Sequence, residues 1–217
     1  MAALLFALSG GACGAVACLC ARRATRGDSR RGFVARKCVL PSASLVMALC
    51  ACALYARWDD GVSRVAALAA LCFACFHALT DFENGYIYDG AVVASLAVAV
   101  AISLSSSRWS PLPLLLGAFA GGAPVAAVAL LTRGGMGGGD VFLMCGIGAV
   151  VGWKAALLTL YCAFIAGGVV AFALLLLKRV DRRAELPFAP FVFFGAACAL
   201  LFRWTVLERL GICITLR

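Results

Sequence analysis

The chain has 217 residues, of which 65% are hydrophobic and 13% charged, with a net charge of +9. A soluble domain usually carries about a quarter charged residues, so this much apolar surface excludes a water-soluble fold. The basic residues lie mostly in short loops between apolar runs, with no basic stripe interleaved with aromatics, which excludes nucleic acid as a partner and points to membrane topology.

Apolar runs of about 20 residues, enough to cross the hydrocarbon core, recur along the chain. They do not alternate polar and apolar positions as barrel strands do. The fold class is all-α: a polytopic transmembrane helical bundle of about eight spans in a single domain over residues 1–217, with the lipid bilayer as its solvent. The first span covers 2–21. Its arginines follow the run instead of preceding it, so it reads as a retained span and not a signal peptide. A basic loop, 22–37, holds Arg22, Arg23, Arg26, Arg30, Arg31, Arg36 and Lys37 against Asp28 alone.

The second span covers 38–56, and a short turn at 57–61 leads to a third span ending near Thr80. A polar segment, 81–89, precedes a fourth span ending near Ser105. Ser, Trp and Pro in 105–113 suit an interfacial turn. The fifth span covers 114–132. A glycine-dense loop, 133–140, opens a short sixth segment at 141–152, whose brevity implies a helix partly unwound or shielded by neighbours. The seventh span covers 155–177, a charged loop 178–185 follows, and the last span covers 187–207. Glycine pairs at 121–122, 134–135 and 167–168 suggest close helix packing.

Basic residues mark cytoplasmic loops. Loop 22–37 is therefore assigned to the cytoplasm, and alternation places 81–89, 133–140 and 178–185 on the same side. The expected location is the cell membrane, multi-pass, with the site facing the cytoplasm.

Twelve cysteines invite a metal or disulfide reading, with close pairs at Cys18/Cys20, Cys50/Cys52 and Cys72/Cys75. Nearly all lie inside apolar runs, where cysteine packs as a small hydrophobe, and paired knuckles on a polar loop are absent. No metal and no cofactor is expected.

Acidic residues are scarce, so their positions carry information. Asp81 stands at the end of the third span and Asp140 at the start of the sixth. Each alone reads as an interfacial cap. Two such carboxylates expected on one face, one of them following Gly134-Gly135-Met136-Gly137-Gly138-Gly139, read as a functional pair. A Walker loop needs Lys then Ser or Thr, and here Val141 and Phe142 follow. Two carboxylates close together in a low-dielectric site share a proton: the ionised one can activate water and the protonated one can polarise a peptide carbonyl. The only histidine, His77, lies one helical turn before Asp81 and leaves triads and multi-histidine metal sites poorly supplied. It reads either as a group tuning Asp81 or as an ordinary packed polar residue.

These residues resemble the type IV prepilin peptidases, membrane aspartyl peptidases with a GxGD signature. Residues 81–89, DFENGYIYD, look like the family's first motif, an Asp followed eight residues later by another. Gly137-Gly138-Gly139-Asp140 looks like GxGD. Leu186-Pro187-Phe188-Ala189-Pro190-Phe191 looks like its PFGPF stretch. The resemblance implies removal of a short basic leader from prepilins or pseudopilins at the cytoplasmic membrane face. It implies Asp81 and Asp140 as catalytic residues, with Glu83, Asp89, Gly137, Gly138, Gly139, Pro187 and Phe188 supporting them or the substrate.

There are departures. Tyr88 stands where the family usually has Pro, Phe142 where many members have Lys, and Ala189 where PFGPF has Gly. Loop 22–37 is too short for the cysteine-paired region associated with methylation, so peptidase activity without a methyltransferase module is expected. The competing readings are a presenilin-like GxGD intramembrane protease, a small cation transporter using its acidic residues, and a non-catalytic membrane assembly factor. The sequence leaves open both monomer and homo-oligomer.

Overall fold

A computed structural model describes residues 1–25, 38–104, 111–132, 136–178 and 186–209. Most of loop 22–37, most of loop 178–185, the 105–110 turn and the Gly134-Gly135 pair lie outside the described residues. The described residues form eight helices and no strand: α1 (Ala2–Ala24), α2 (Val39–Arg57), α3 (Gly61–Asn84), α4 (Asp89–Leu104), α5 (Pro111–Leu131), α6 (Gly138–Val151), α7 (Trp153–Leu176) and α8 (Ala189–Arg209). Five of them, α1, α2, α3, α5 and α7, are long and apolar enough to cross a membrane, while α6 and the Ala189–Phe202 part of α8 are shorter apolar helices. The polytopic helical bundle expected from the runs is the observed architecture.

Two large cores hold the bundle, beside a smaller cluster of Cys18, Ala21 and Val39 between α1 and α2. One joins Ala17 of α1, Met47 and Leu54 of α2, Leu71 and Cys75 of α3, and Ala196 and Leu200 of α8. The other gathers Ala74, Ile87, Val92, Val125, Leu143, Met144, Ile147, Leu160 and Val192, so it draws on α3 through α8. Helices α3 and α8 contribute to both cores and form the spine of the molecule. Large apolar side chains cover the outside instead: Phe119 is 72% exposed and Leu131 83%. Lipid contact satisfies such a surface, whereas water does not.

Without a hydrophobic force between helices in lipid, tight backbone contact has to hold them together. Gly117 of α5 and Gly148 of α6 each fill the space where the other's Cβ would stand, and Gly121 and Gly122 also abut α6. Gly167 lies against the Phe191 ring of α8 while Gly168 faces open space, so the small-residue theme holds at 121–122 and at 167 but not at 168. Cysteines Cys18, Cys50 and Cys75 are buried and free, as packing residues are.

Two boundaries differ from the sequence reading in ways that bear on function. Helix α3 runs on past Thr80 to Asn84 and stops only where Gly85 turns left-handed (φ 68°), its N–H bonding the Asp81 carbonyl at 2.7 Å. Asp81 therefore lies in the last helical turn, not beyond it. The glycine-dense stretch is shorter than a loop over 133–140: Gly138 and Gly139 are already helical, with Gly137 as N-cap. The short α6 is continuous and shielded by its neighbours, with Leu143, Met144, Gly146, Ile147 and Gly148 buried.

Candidate active site

The C-terminal ends of α1 and α3 and the N-terminal ends of α4, α6 and α8 meet at one end of the bundle. Three contacts establish this. The Ala189 N–H, first of α8, donates to Asp81 Oδ2 at 2.9 Å. The Tyr88 hydroxyl, just before α4, donates to the Ala24 carbonyl, last of α1, at 3.0 Å. Ile87, just before α4, is buried against Gly139 in the first turn of α6.

Both acids are shielded, Asp81 at 6% exposed and Asp140 at 9%. Each lies beside the start of a helix. The first N–H groups of a helix have no intrahelical acceptor and carry the positive end of its dipole. Ala189 gives one such N–H to Asp81 across 108 residues of sequence. Asp140 sits within its own helix's first turn, its N–H bonded to the Gly137 carbonyl at 3.1 Å. Asp140 is thus third in its helix and not the cap, which is Gly137.

The glycines differ in what they do. A Cβ on Gly137 would stand 3.5 Å from Asp140 Oδ2, an ordinary contact, so space alone does not require glycine there. A Cβ on Gly139 would come within 2.8 Å of Ile87 Cβ, so this position is glycine because the first motif presses against it. Gly138 has open space around it.

Other expected site residues fall nearby. Glu83 is buried at 1% but lies two residues beyond Asp81 in the same helix, where side chains do not share a face. Asp89 opens α4, and its side chain lies outside the described residues. Pro187 and Phe188 precede α8, with the Phe188 ring 5.4 Å from that of Phe164 and packed on the second core. His77 is fully buried, edge-on to Phe76 at 5.2 Å, and neither ring nitrogen has a hydrogen-bond partner. It therefore makes no hydrogen bond to Asp81 and packs as an ordinary core residue.

Sequence reasoning missed the Ala189 N–H, because a main-chain donor leaves no mark in a side-chain pattern. Pro187, two residues before the start of α8, was the available signal. It also missed Ile87, an apolar residue inside a motif read for its polar members.

Part of the chain is similar to known proteins. Residues 66–172 match the model of the type IV leader peptidase family. A prepilin leader peptidase/N-methyltransferase of Bacillus subtilis (strain 168) is 32% identical over 162 residues, 75% of this chain and 65% of the relative. One of the same description from Burkholderia pseudomallei (strain 1026b) is 31% identical over 145 residues, 63% of this chain and 47% of that protein. The chain thus spans less than two thirds of the length of either relative. No solved structure shows a significant match. Over residues 66–172, the stretch that carries both buried aspartates, the chain belongs to the type IV leader peptidase family.

Proposed function

We propose that this protein is an aspartic endopeptidase that removes the basic leader of type IV prepilins or pseudopilins at the cytoplasmic face of the cell membrane, with Asp81 and Asp140 as its catalytic pair. The observation that carries the reading is that α3 and α6 each bring a shielded carboxyl to one end of the bundle, where Ile87, just past the end of α3, is seated on Gly139 beside Asp140.

Close carboxyls in a site of low dielectric do not both ionise readily, so the pair holds one proton between them. The ionised member takes a proton from a water molecule as that water attacks the scissile carbonyl. The protonated member donates to the carbonyl oxygen, where negative charge develops. Collapse of the tetrahedral intermediate then returns a proton to the leaving amine, with no covalent bond to the enzyme. The Ala189 N–H at the start of α8 holds Asp81 in place for this exchange, and Asp140 sits at the positive end of the α6 dipole. No cofactor is required by these steps.

The orientation rests on the seven Lys and Arg residues of loop 22–37. Helix α1 ends beside the site, so the basic loop leaves from the same end of the bundle. A basic leader would approach a site whose side chains are acidic. Residues 22–37 serve as a topogenic loop that contacts anionic lipid heads, without a methyltransferase module.

The test is leader removal from a co-expressed prepilin. Asp81→Asn and Asp140→Asn should each lower processing by about three orders of magnitude while the protein still accumulates in the membrane. Undiminished processing by either variant would end the proposal.

A further inference from the structure

The segment linking α3 to α4 is held from two sides. Ile87 is buried and occupies the space beside Gly139, the residue before Asp140. The next residue, Tyr88, reaches toward α1. Its hydroxyl donates to the Ala24 carbonyl at 3.0 Å and accepts from Asn84 Nδ2 at 3.3 Å. Ala24 ends α1 and Asn84 ends α3, so one hydroxyl ties two helix ends together. The Ala24 carbonyl is among those a helix terminus leaves without an intrahelical donor. Asn84 lies three residues after Asp81, on the same side of α3. The Tyr86 ring stands edge-on to the Tyr88 ring at 5.4 Å and limits its movement. A proline at this position could make no such link, so the tie belongs to the tyrosine this chain carries.

We propose that Tyr88 is a positioning residue whose hydroxyl pins the α3–α4 segment to the end of α1, keeping Ile87 seated on Gly139 and Asp140 in register with Asp81. Tyr88 does not touch the reacting atoms; it acts through Ile87 and Asn84. Its kinetic consequence rests on the peptidase reading, whereas its mechanical consequence does not.

The experiment uses the full chain, purified in detergent, with a prepilin substrate and with amide hydrogen exchange measured in parallel. Tyr88→Phe removes the hydroxyl and keeps the ring. It should lower kcat roughly five-fold, the effect of losing one ordinary hydrogen bond, and leave KM unchanged. Exchange should quicken at residues 85–92 and at the end of α1, and stay as it was in α7. Asn84→Ala should act in the same direction, and the double variant should be no slower than Tyr88→Phe alone, because both act through one oxygen.

Wild-type kcat in Tyr88→Phe would overturn the proposal, whatever the exchange shows. A rise in KM alone would overturn it in favour of a substrate contact. Faster exchange throughout all helices would overturn it in favour of a general stabilising role. A wild-type protein that leaves prepilins uncut would count against the peptidase reading, and the exchange pattern would then decide the pin by itself.

Discussion

Helix α3 is bounded by one aspartate and carries another in its last turn, and the two serve different ends. Asp60, at the start, is exposed and accepts hydrogen bonds from the Ser63 N–H at 2.9 Å and the Ser63 hydroxyl at 2.8 Å. That is an N-cap, satisfied by residues three positions away and worth about 1 kcal/mol. Asp81, at the other end, is buried and takes its donor from a helix 108 residues further along the chain. A local cap can be replaced by water at little cost, because its surroundings are wet. A buried carboxylate supported by a distant helix has no such substitute, and the fold keeps it shielded at a desolvation cost. The difference teaches that an acid's place at a helix end says little by itself: burial marks out Asp81 and Asp140 alike, and Asp81 adds a remote donor.

This contrast can be broken at several points. Asparagine in place of Asp81 or Asp140 sets the upper bound described above. Next in size is Ala189→Pro, which removes the N–H that reaches Asp81. Proline is favoured at the first helical position, so α8 should still form. Loss of a charge-assisted hydrogen bond should lower kcat by roughly 10- to 100-fold, with expression and detergent-extracted yield near wild type. A variant that cleaves at the normal rate would show that the contact is incidental.

A smaller effect is expected within the glycine stretch. Gly139→Ala must displace Ile87 and should slow cleavage by roughly ten-fold, whereas Gly138→Ala meets open space and should cost far less. Equal losses at the two positions would contradict the packing explanation and favour substrate access along the whole stretch. The smallest effect belongs to Asp60→Ala. It should lower stability by about 1 kcal/mol in a thermal or denaturant titration and leave turnover per folded molecule unchanged.

Much of the fold was legible in the sequence, because apolar runs of membrane length cannot be hidden by tertiary context. The boundaries were less so. Polar residues 81–84 looked like a loop, yet they continue α3, since helix propensity tolerates Asp, Glu and Asn in a last turn and Gly85 supplies the left-handed stop. Gly138 and Gly139 looked like loop residues for a similar reason, yet both are helical, Gly139 with Ile87 packed against it. The two acids were legible through their scarcity and spacing. Their setting was not. The donor from Ala189 is a main-chain group, the seat of Ile87 is a matter of shape, and the Tyr88 link joins residues 64 positions apart.

The central claim is that Asp81 and Asp140 work as one unit that shares a proton. The most direct measurement is residual leader cleavage by the purified Asp81→Asn, Asp140→Asn and doubly substituted proteins on one prepilin. Members of a single catalytic unit are strongly non-additive, so each single variant should lose nearly all activity and the double variant should be no worse than either. Losses that multiply in the double variant, or a single variant that retains wild-type turnover, would contradict the account.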